Sequence, residues 1–200
     1  MYELPTTVMV EDREYQIRNN ADYRLILDVI SACQEVEFNE IEKVYTTLIL
    51  FYDNIDTETD VINEFETPEI MQAAMDAVMD FISGGDTYET GNTASYKLID
   101  WKKDEKLIVA GINPLLGNGM DIRRIDYMHW WTFLSYYMGI GESALSTVVS
   151  IRDKIIKGKK LEKYEQTFRR EHPEYFKWRE QEKTENEKQL ENDIMKLWQK

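Results

Sequence analysis

Apolar and polar residues alternate near the start of the chain. Val8 and Val10 precede a polar turn at residues 11–13, and Tyr15 and Ile17 follow it. Alternation with a period of two on both sides of a polar turn is typical of a β-hairpin. The sequence therefore predicts a short hairpin before any helix.

Beyond the hairpin, apolar residues recur every three or four positions, which is the spacing of a helix with one buried face. Three helix starts stand out: Asp22 as an N-cap, Asn39 with Glu42 as a capping box, and Thr67 followed by Pro68. The apolar residues that follow these starts are Ile26, Val29, Ile30 and Cys33, then Ile41, Val44, Tyr45, Leu48 and Phe51, and then Ile70, Ala74, Ala77, Val78 and Phe81. These stripes predict three helices, with Cys33 as a core thiol.

The second half of the chain also has helical spacing. Residues 104–112 predict a helix that Pro114 is expected to interrupt before a glycine loop at residues 117–119. Residues 121–138 predict the next helix, which contains the highest density of aromatic side chains. Gly139 is expected to end it.

Ser143 can cap a further helix after the glycine turn, and the two helices are expected to form an antiparallel pair. Helical spacing continues over residues 161–168 until His172 and Pro173 break it. Residues 177–200 are mostly polar, and we interpret them as a long polar helix or a tail.

These patterns predict a mainly α fold with an N-terminal β-hairpin. Residues 84–95 consist largely of Gly, Asp, Thr, Glu, Asn and Ser, which is the composition of a linker. We therefore expect an N-terminal module at 1–83, an aromatic-rich helical module at 96–176 and a polar C-terminal segment at 177–200.

Charge is distributed unevenly over the 200 residues. Residues 1–100 contain 5 Lys and Arg against 22 Asp and Glu, and residues 101–200 contain 19 against 16. The net charges are 5 − 22 = −17 and 19 − 16 = +3, which sum to −14 for the chain. Such asymmetry suggests modules with different partners, or modules that attract each other.

Composition excludes several classes of protein. Cys33 is the only cysteine, which excludes an intramolecular disulfide and a multi-thiolate metal site and fits a reducing, intracellular setting. The N-terminus has no basic start followed by an apolar run, and no stretch of roughly 18 apolar residues exists. We therefore expect neither export by a signal peptide nor a membrane span.

Candidate chemistry is sparse. The acidic residues 53–60 resemble a calcium loop, but Val61 and Thr67 stand where that loop needs Gly and Glu, so we interpret the segment as a solvated loop between helices. His129, expected inside the aromatic helix, and His172 are the only histidines, and neither has a second ligand four residues away. We expect both to be structural, and we predict no catalytic residue, cofactor or metal ion.

Residues 152–179 combine Lys and Arg with the aromatic residues Tyr164, Phe168, Tyr175 and Trp178. Basic residues neutralise phosphates and aromatic rings stack on bases, so this pattern permits nucleic-acid binding. The acidic remainder of the chain repels a polyanion. We prefer a protein-binding surface, because aromatic residues and Arg are enriched at protein interfaces.

A series of short motifs runs through residues 2–176. They are Leu4-Pro5-Thr6-Thr7-Val8, Tyr15-Gln16-Ile17, Ile99-Asp100-Trp101, Asp104, Ile108-Val109-Ala110, Ile125-Asp126-Tyr127, Trp130-Trp131-Thr132-Phe133, Ser150-Ile151-Arg152, Lys154, Gly158-Lys159-Lys160, Leu161, Lys163-Tyr164-Glu165 and Phe168. In these motifs the chain resembles a family of small tail-morphogenesis proteins of long-tailed phages and prophages of Gram-positive bacteria.

The resemblance implies a non-enzymatic tail-assembly chaperone that binds the tape-measure protein, with the tail-tube protein as a further partner. Such a chaperone acts in the cytoplasm of the bacterial host and is absent from the mature virion. Self-association is a further expectation. The residues expected to contact the partner are Trp130, Trp131, Phe133, Tyr137, Arg152, Lys154 and Lys160.

Three alternatives stay open on sequence alone. The first is a structural component of the tail or of the head–tail connector. The second is an accessory nucleic-acid-binding protein that uses residues 152–179. The third is a hydrolase or metalloenzyme, which no residue pattern in the sequence supports.

Overall fold

The N-terminal hairpin is present as predicted. The computed structural model describes residues 3–35, 37–84 and 98–177. Strands β1 (Thr7–Val10) and β2 (Arg13–Gln16) pair antiparallel, with Val8 opposite Tyr15. The turn between them holds Glu11 at a φ of 51°, in the left-handed region that tight turns require.

Eight α-helices follow in the described ranges, so the mainly α fold is confirmed. They are α1 (Tyr23–Cys33), α2 (Glu40–Phe51), α3 (Glu58–Glu64), α4 (Pro68–Ile82), α5 (Glu105–Leu116), α6 (Trp130–Met138), α7 (Ala144–Ile156) and α8 (Lys163–Glu171). Short 3-10 helices lie at Arg18–Ala21, Ile122–Arg124 and Pro173–Tyr175. Apart from Gly84, the predicted linker lies outside the described residues, as does the predicted polar segment beyond Lys177.

Helices α1, α2, α4 and α7 begin where the sequence predicts. Side-chain oxygens of Asp22, Asn39, Thr67 and Ser143 accept backbone N–H groups of the first turn, and Glu42 completes the capping box with Asn39. These caps satisfy donors that the first turn of any helix leaves without an intrahelical partner.

Residues 53–60 are not entirely a loop. The interpretation of this acidic segment as a solvated loop is wrong for residues 58–60, which begin a helix. Glu58 and Asp60 lie in the first turn of α3, and Thr57 caps that helix. The Asp60 carboxylate accepts the Thr57 N–H at 2.9 Å, which closes a capping box. Carboxylates in the first turn also interact favourably with the helix dipole.

Pro114 does not interrupt α5, because the helix continues to Leu116. Pro114 has no N–H to donate to the Ala110 carbonyl, so one intrahelical hydrogen bond is missing while the helix continues for two more residues. The helix ends instead at Gly117, whose φ of 72° is favourable only for glycine.

Helix α6 is shorter than predicted. It begins at Trp130 rather than at residue 121, because His129, with φ −60° and ψ 143°, lies before the first turn as its N-cap. The prediction that His129 lies inside the aromatic helix is therefore wrong. Residues 122–124 form a separate 3-10 helix.

Buried side chains from both predicted modules belong to one hydrophobic core. Helix α1 packs against α2 and α6, α4 packs against α2 and β1, and α5 packs against α6 and α7. The buried residues Ile26, Leu48, Phe51, Val78 and Trp130 lie in this core. The division into modules at 1–83 and 96–176 stays a prediction about folding units.

Ile41 belongs to a predicted apolar stripe but is exposed in the first turn of α2. Ile155 and Ile156 are likewise exposed in the last turn of α7. Periodic spacing identifies one face of a helix but does not determine whether a neighbour covers that face at its terminal turns. Cys33 is half-buried rather than fully buried.

Candidate partner-binding surface

The two tryptophans at the start of α6 join this helix to the end of α4. The Trp130 Nε1–H donates to the Ile82 carbonyl at 2.9 Å, and the Trp131 Nε1–H donates to the Phe81 carbonyl at 3.0 Å. Only 1% of Trp130 is exposed, whereas Trp131 is half-buried. Trp130 is therefore a core residue and is not available to a partner in this structure.

Phe133 and Tyr137 lie one and two turns further along α6. Phe133 is buried and stacks on Tyr23 of α1, with ring centroids 4.7 Å apart and nearly parallel planes. Tyr137 is half-buried with its ring 5.0 Å from that of Trp101, and burial raises its pKa to about 12. Phe133 thus joins Trp130 in the core, and Tyr137 reaches the surface only in part.

Arg152 makes the most extensive polar contacts of the predicted partner residues. Its guanidinium donates to both carboxylate oxygens of Asp104, at 2.6 and 2.9 Å, and to the carbonyls of Leu98 and Tyr175. Arg152 and Asp104 are both buried, with side chains 3% and 0% exposed. The geometry is that of a structural ion pair rather than of a surface contact.

The two predicted lysines differ in their surroundings. Lys154 donates to Glu165 at 2.7 Å, and this contact lowers the pKa of the buried Glu165 carboxyl. The other Glu165 oxygen accepts the Glu162 N–H at the start of α8. Lys160 is exposed. The predicted basic set is therefore not one surface, since Arg152 and Lys154 are paired within the chain.

A surface groove lies between the N-terminal segment and α6. The sequence patterns do not predict it. Its volume is about 320 Å³. The lining residues are Leu4, Leu116, Met120, Ile125, Tyr127, Met128, His129, Thr132 and Tyr136. We refer to this site as the apolar groove, because most of its lining is aliphatic or aromatic.

Contacts from the start of α1 hold the floor of the apolar groove. The Tyr23 N–H donates to the Met128 carbonyl at 2.9 Å, and the Met128 N–H donates to Asp22 Oδ2 at 3.1 Å. The Arg24 guanidinium donates to the Ile125 carbonyl. Asp22 thus caps α1 with one carboxylate oxygen and accepts the Met128 N–H with the other, while Arg24 holds the Ile125 carbonyl.

His129 fixes one wall of the apolar groove. Its Nδ1 accepts the Trp131 N–H at 3.1 Å, so the proton resides on Nε2, which donates to the Pro5 carbonyl at 2.8 Å. This bond holds Leu4 beside α6. Burial lowers the His129 pKa. The contacts agree with the structural role that the sequence predicts.

Other candidate chemical groups also have structural contacts. The His172 ring lies 4.7 Å from that of Phe168. The Cys33 Sγ is 3.1 Å from the Thr47 hydroxyl, and burial raises the pKa of this thiol. Within the described residues, no group of three His, Cys, Asp or Glu side chains is placed to hold a metal ion.

Loop residues explain why periodic patterns do not reveal the apolar groove. Leu4 precedes β1, while Met120 and Tyr127 lie between α5 and α6. The available signal was the large apolar side chains in loops, where polar residues are usual. Thr132 and Tyr136 complete the site from α6, where a spacing of four places both on one side of the helix.

None of the helices in the described ranges combines the length and the apolar character that a membrane crossing needs.

A family model described as "Bacteriophage Gp15 protein" matches residues 1–177. The chain belongs to this bacteriophage Gp15 family. All residues that line the apolar groove of this Gp15-family protein lie within the matched range. The predicted membership of a phage protein family is confirmed. No curated protein and no solved structure matches the chain.

Proposed function

We propose that this Gp15-family protein is a non-enzymatic tail-assembly chaperone that binds the tape-measure protein in the host cytoplasm. The observation that supports this function most directly is the apolar groove on the surface of the chain. An amphipathic helix can place its apolar side chains in such a groove. The family resemblance implies a long helical client of this kind.

The exposure of the lining supports a protein partner. Leu4, Met120 and Tyr127 are 47%, 46% and 49% exposed, although all three are large and mainly apolar. Contiguous exposed apolar side chains commonly mark interaction sites. Methionine also adapts its shape to different partner side chains, which suits a client that presents several similar helices.

Contacts of the most reactive side chains support the non-enzymatic part of the proposal. Both nitrogens of His129 bond to backbone groups. The Cys33 thiol contacts Thr47, and its raised pKa disfavours the nucleophilic thiolate. Both side chains are thus engaged in contacts within the fold.

Coexpression with the tape-measure protein tests this function. We expect the wild-type chain to increase the soluble fraction of the tape-measure protein and to copurify with it. The double variant Leu4→Asp/Met120→Asp should lose at least about tenfold in binding, because two apolar side chains that the partner would cover are replaced by charges.

Met79→Asp is the matched control, because Met79 is 45% exposed on α4 and does not line the apolar groove. It should bind like the wild type. A tape-measure protein that stays insoluble with the wild-type chain and does not copurify with it would contradict the proposed function.

Analysis of purified phage particles separates the chaperone from a structural component of the tail or connector. A chaperone leaves before the tail is complete, so we expect the protein in infected-cell lysates but not in particles. A stoichiometric amount in particles would support the structural alternative. The tail-tube protein is a proposed second partner, and the same copurification detects it.

A further inference from the structure

The segment from the end of α7 to the start of α8 has a basic surface. We define it as residues 154–164, which contain five Lys and one Glu, for a net charge of +4. Lys159, Lys160 and Lys163 are exposed, and in the described part of the chain none of the three forms an ion pair. Three exposed apolar side chains lie among these charges: Ile155, Ile156 and Tyr164.

A second surface has the opposite charge and also exposes apolar side chains. We define this acidic surface as residue 35 and residues 37–42, which contain four Glu and no Lys or Arg, for a net charge of −4. It precedes α2 and includes the first turn of that helix. Ile41 is 65% exposed there, and Phe38 is also exposed.

The two surfaces do not neutralise each other within one molecule. In the basic surface, Lys154 pairs with Glu165 and Lys157 pairs with Asp153. In the acidic surface, Glu40 pairs with Lys43. Among the described residues, no ion pair joins the two surfaces. Once these pairs are set aside, Lys159, Lys160 and Lys163 against Glu162 leave 3 − 1 = +2 on the basic surface, and three Glu leave −3 on the acidic surface.

We propose that the basic surface of one copy docks on the acidic surface of a second copy of this chain. The remaining charges of +2 and −3 are opposite in sign, and each surface exposes apolar side chains that the contact would cover. This inference does not depend on the tape-measure function. It uses surfaces outside the apolar groove.

The proposed contact is head-to-tail, since it joins two different surfaces. Each dimer keeps one basic and one acidic surface unused, so further copies can add to form a ring or a filament. Exposed charge pairs are screened by salt. The association should therefore weaken as the ionic strength rises.

Sedimentation velocity of the full chain and two variants tests the proposal. The basic-surface variant is Lys159→Gln/Lys160→Gln/Lys163→Gln, and the acidic-surface variant is Glu35→Gln/Glu37→Gln. We expect the wild type to associate in about 50 mM NaCl and to dissociate in about 500 mM NaCl. Each variant alone should associate about tenfold more weakly than the wild type, from the loss of two or three charge pairs.

Mixing the two variants gives the decisive result. The basic-surface variant keeps its acidic surface, and the acidic-surface variant keeps its basic surface. One normal contact can therefore form between them, and we expect a heterodimer that does not grow further. Exposed positions elsewhere provide the control variants, Lys102→Gln/Lys103→Gln/Lys106→Gln and Glu11→Gln/Asp12→Asn, which should associate like the wild type.

Several results would overturn the proposal. They are a wild-type chain that is monomeric at low salt, variants that associate as tightly as the wild type, and a mixture that stays monomeric. A monomeric chain whose basic-surface variant loses copurification with the tape-measure protein would assign that surface to the client instead.

Discussion

His129 shows how one side chain can position a surface. Its two ring nitrogens bond to backbone groups of residues that are far apart in sequence, Pro5 and Trp131. The neutral ring satisfies both contacts, one as acceptor and one as donor. A protonated ring would place a hydrogen on Nδ1, facing the Trp131 N–H. Protonation therefore opposes the contact that caps α6.

The pH dependence of stability tests this role of His129. Its pKa in the folded chain lies below the ordinary value of 6.5, so the unfolded chain binds the proton more readily. Stability from this residue is complete above about pH 6.5 and decreases as the pH falls through and below that value. Urea unfolding between about pH 7.5 and about pH 5.5 measures the change.

His129→Asn keeps a capping oxygen and removes the titrating group. We expect this variant to be less stable than the wild type near pH 7.5, with a flatter pH profile below it. His172→Gln is the control and should retain the wild-type profile. An unchanged profile for His129→Asn would contradict the assignment.

At the scale of elements, the ion pair between Arg152 and Asp104 holds three parts of the chain together. Arg152 lies on α7, Asp104 precedes α5, and the Tyr175 carbonyl belongs to the 3-10 helix after α8. Removing one residue of a buried ion pair lowers stability strongly, because the remaining charge has lost its hydration in water and is no longer compensated by the opposite charge.

Asp104→Ala should therefore destabilise the protein by about 3–5 kcal/mol, because it removes the carboxylate that accepts two hydrogen bonds from the buried Arg152 guanidinium. The double variant Asp104→Leu/Arg152→Met should lose less than Asp104→Ala, because both members of the buried ion pair are removed together. Lys157→Ala is the control for an exposed pair and should cost at most about 0.5 kcal/mol. Equal losses for Asp104→Ala and Lys157→Ala in chemical unfolding would contradict a structural ion pair.

Elements with local signals could be predicted from the sequence, and those that depend on distant contacts could not. Asn39 and Glu42 satisfy each other within one turn, so the start of α2 follows from four residues. The start of α6 depends on His129, whose contact with Pro5 joins distant parts of the chain. The periodic spacing of residues 121–138 gives no information about the contact between His129 and Pro5.

The candidate site was less predictable than the fold, because residue type does not determine exposure. Trp130 and Phe133 have the side chains of an interface, yet α4 and α1 cover them. Arg152 has the charge of an interface residue, yet it donates to Asp104, which lies 48 positions earlier in the sequence. Of the predicted basic residues, Lys160 remains exposed.

At the scale of the whole molecule, the predicted N-terminal and aromatic-rich modules share their buried surfaces. Trp130 and Trp131 donate to the last turn of α4, and Tyr23 stacks on Phe133. Each module would expose these aromatic side chains to water if the other were removed. Their burial is worth several kcal/mol of stability.

We therefore expect the two modules to unfold in one cooperative transition. Fragments 1–84 and 98–177 should each lack a sharp thermal transition by circular dichroism when expressed alone, since half of the shared core is missing. The full chain should show a single transition. A fragment that melts cooperatively at the temperature of the full chain would show that the modules fold independently.

Site-specific crosslinking in cells that coexpress the tape-measure protein tests the central proposal most directly. A photoreactive benzoylphenylalanine at position 120 would report contacts of the apolar groove, and the same residue at position 79 would report an equally exposed surface elsewhere. We predict strong crosslinks to the tape-measure protein from position 120 and few from position 79. Equal yields from both positions, or none from position 120 while the two proteins copurify, would contradict binding through the apolar groove.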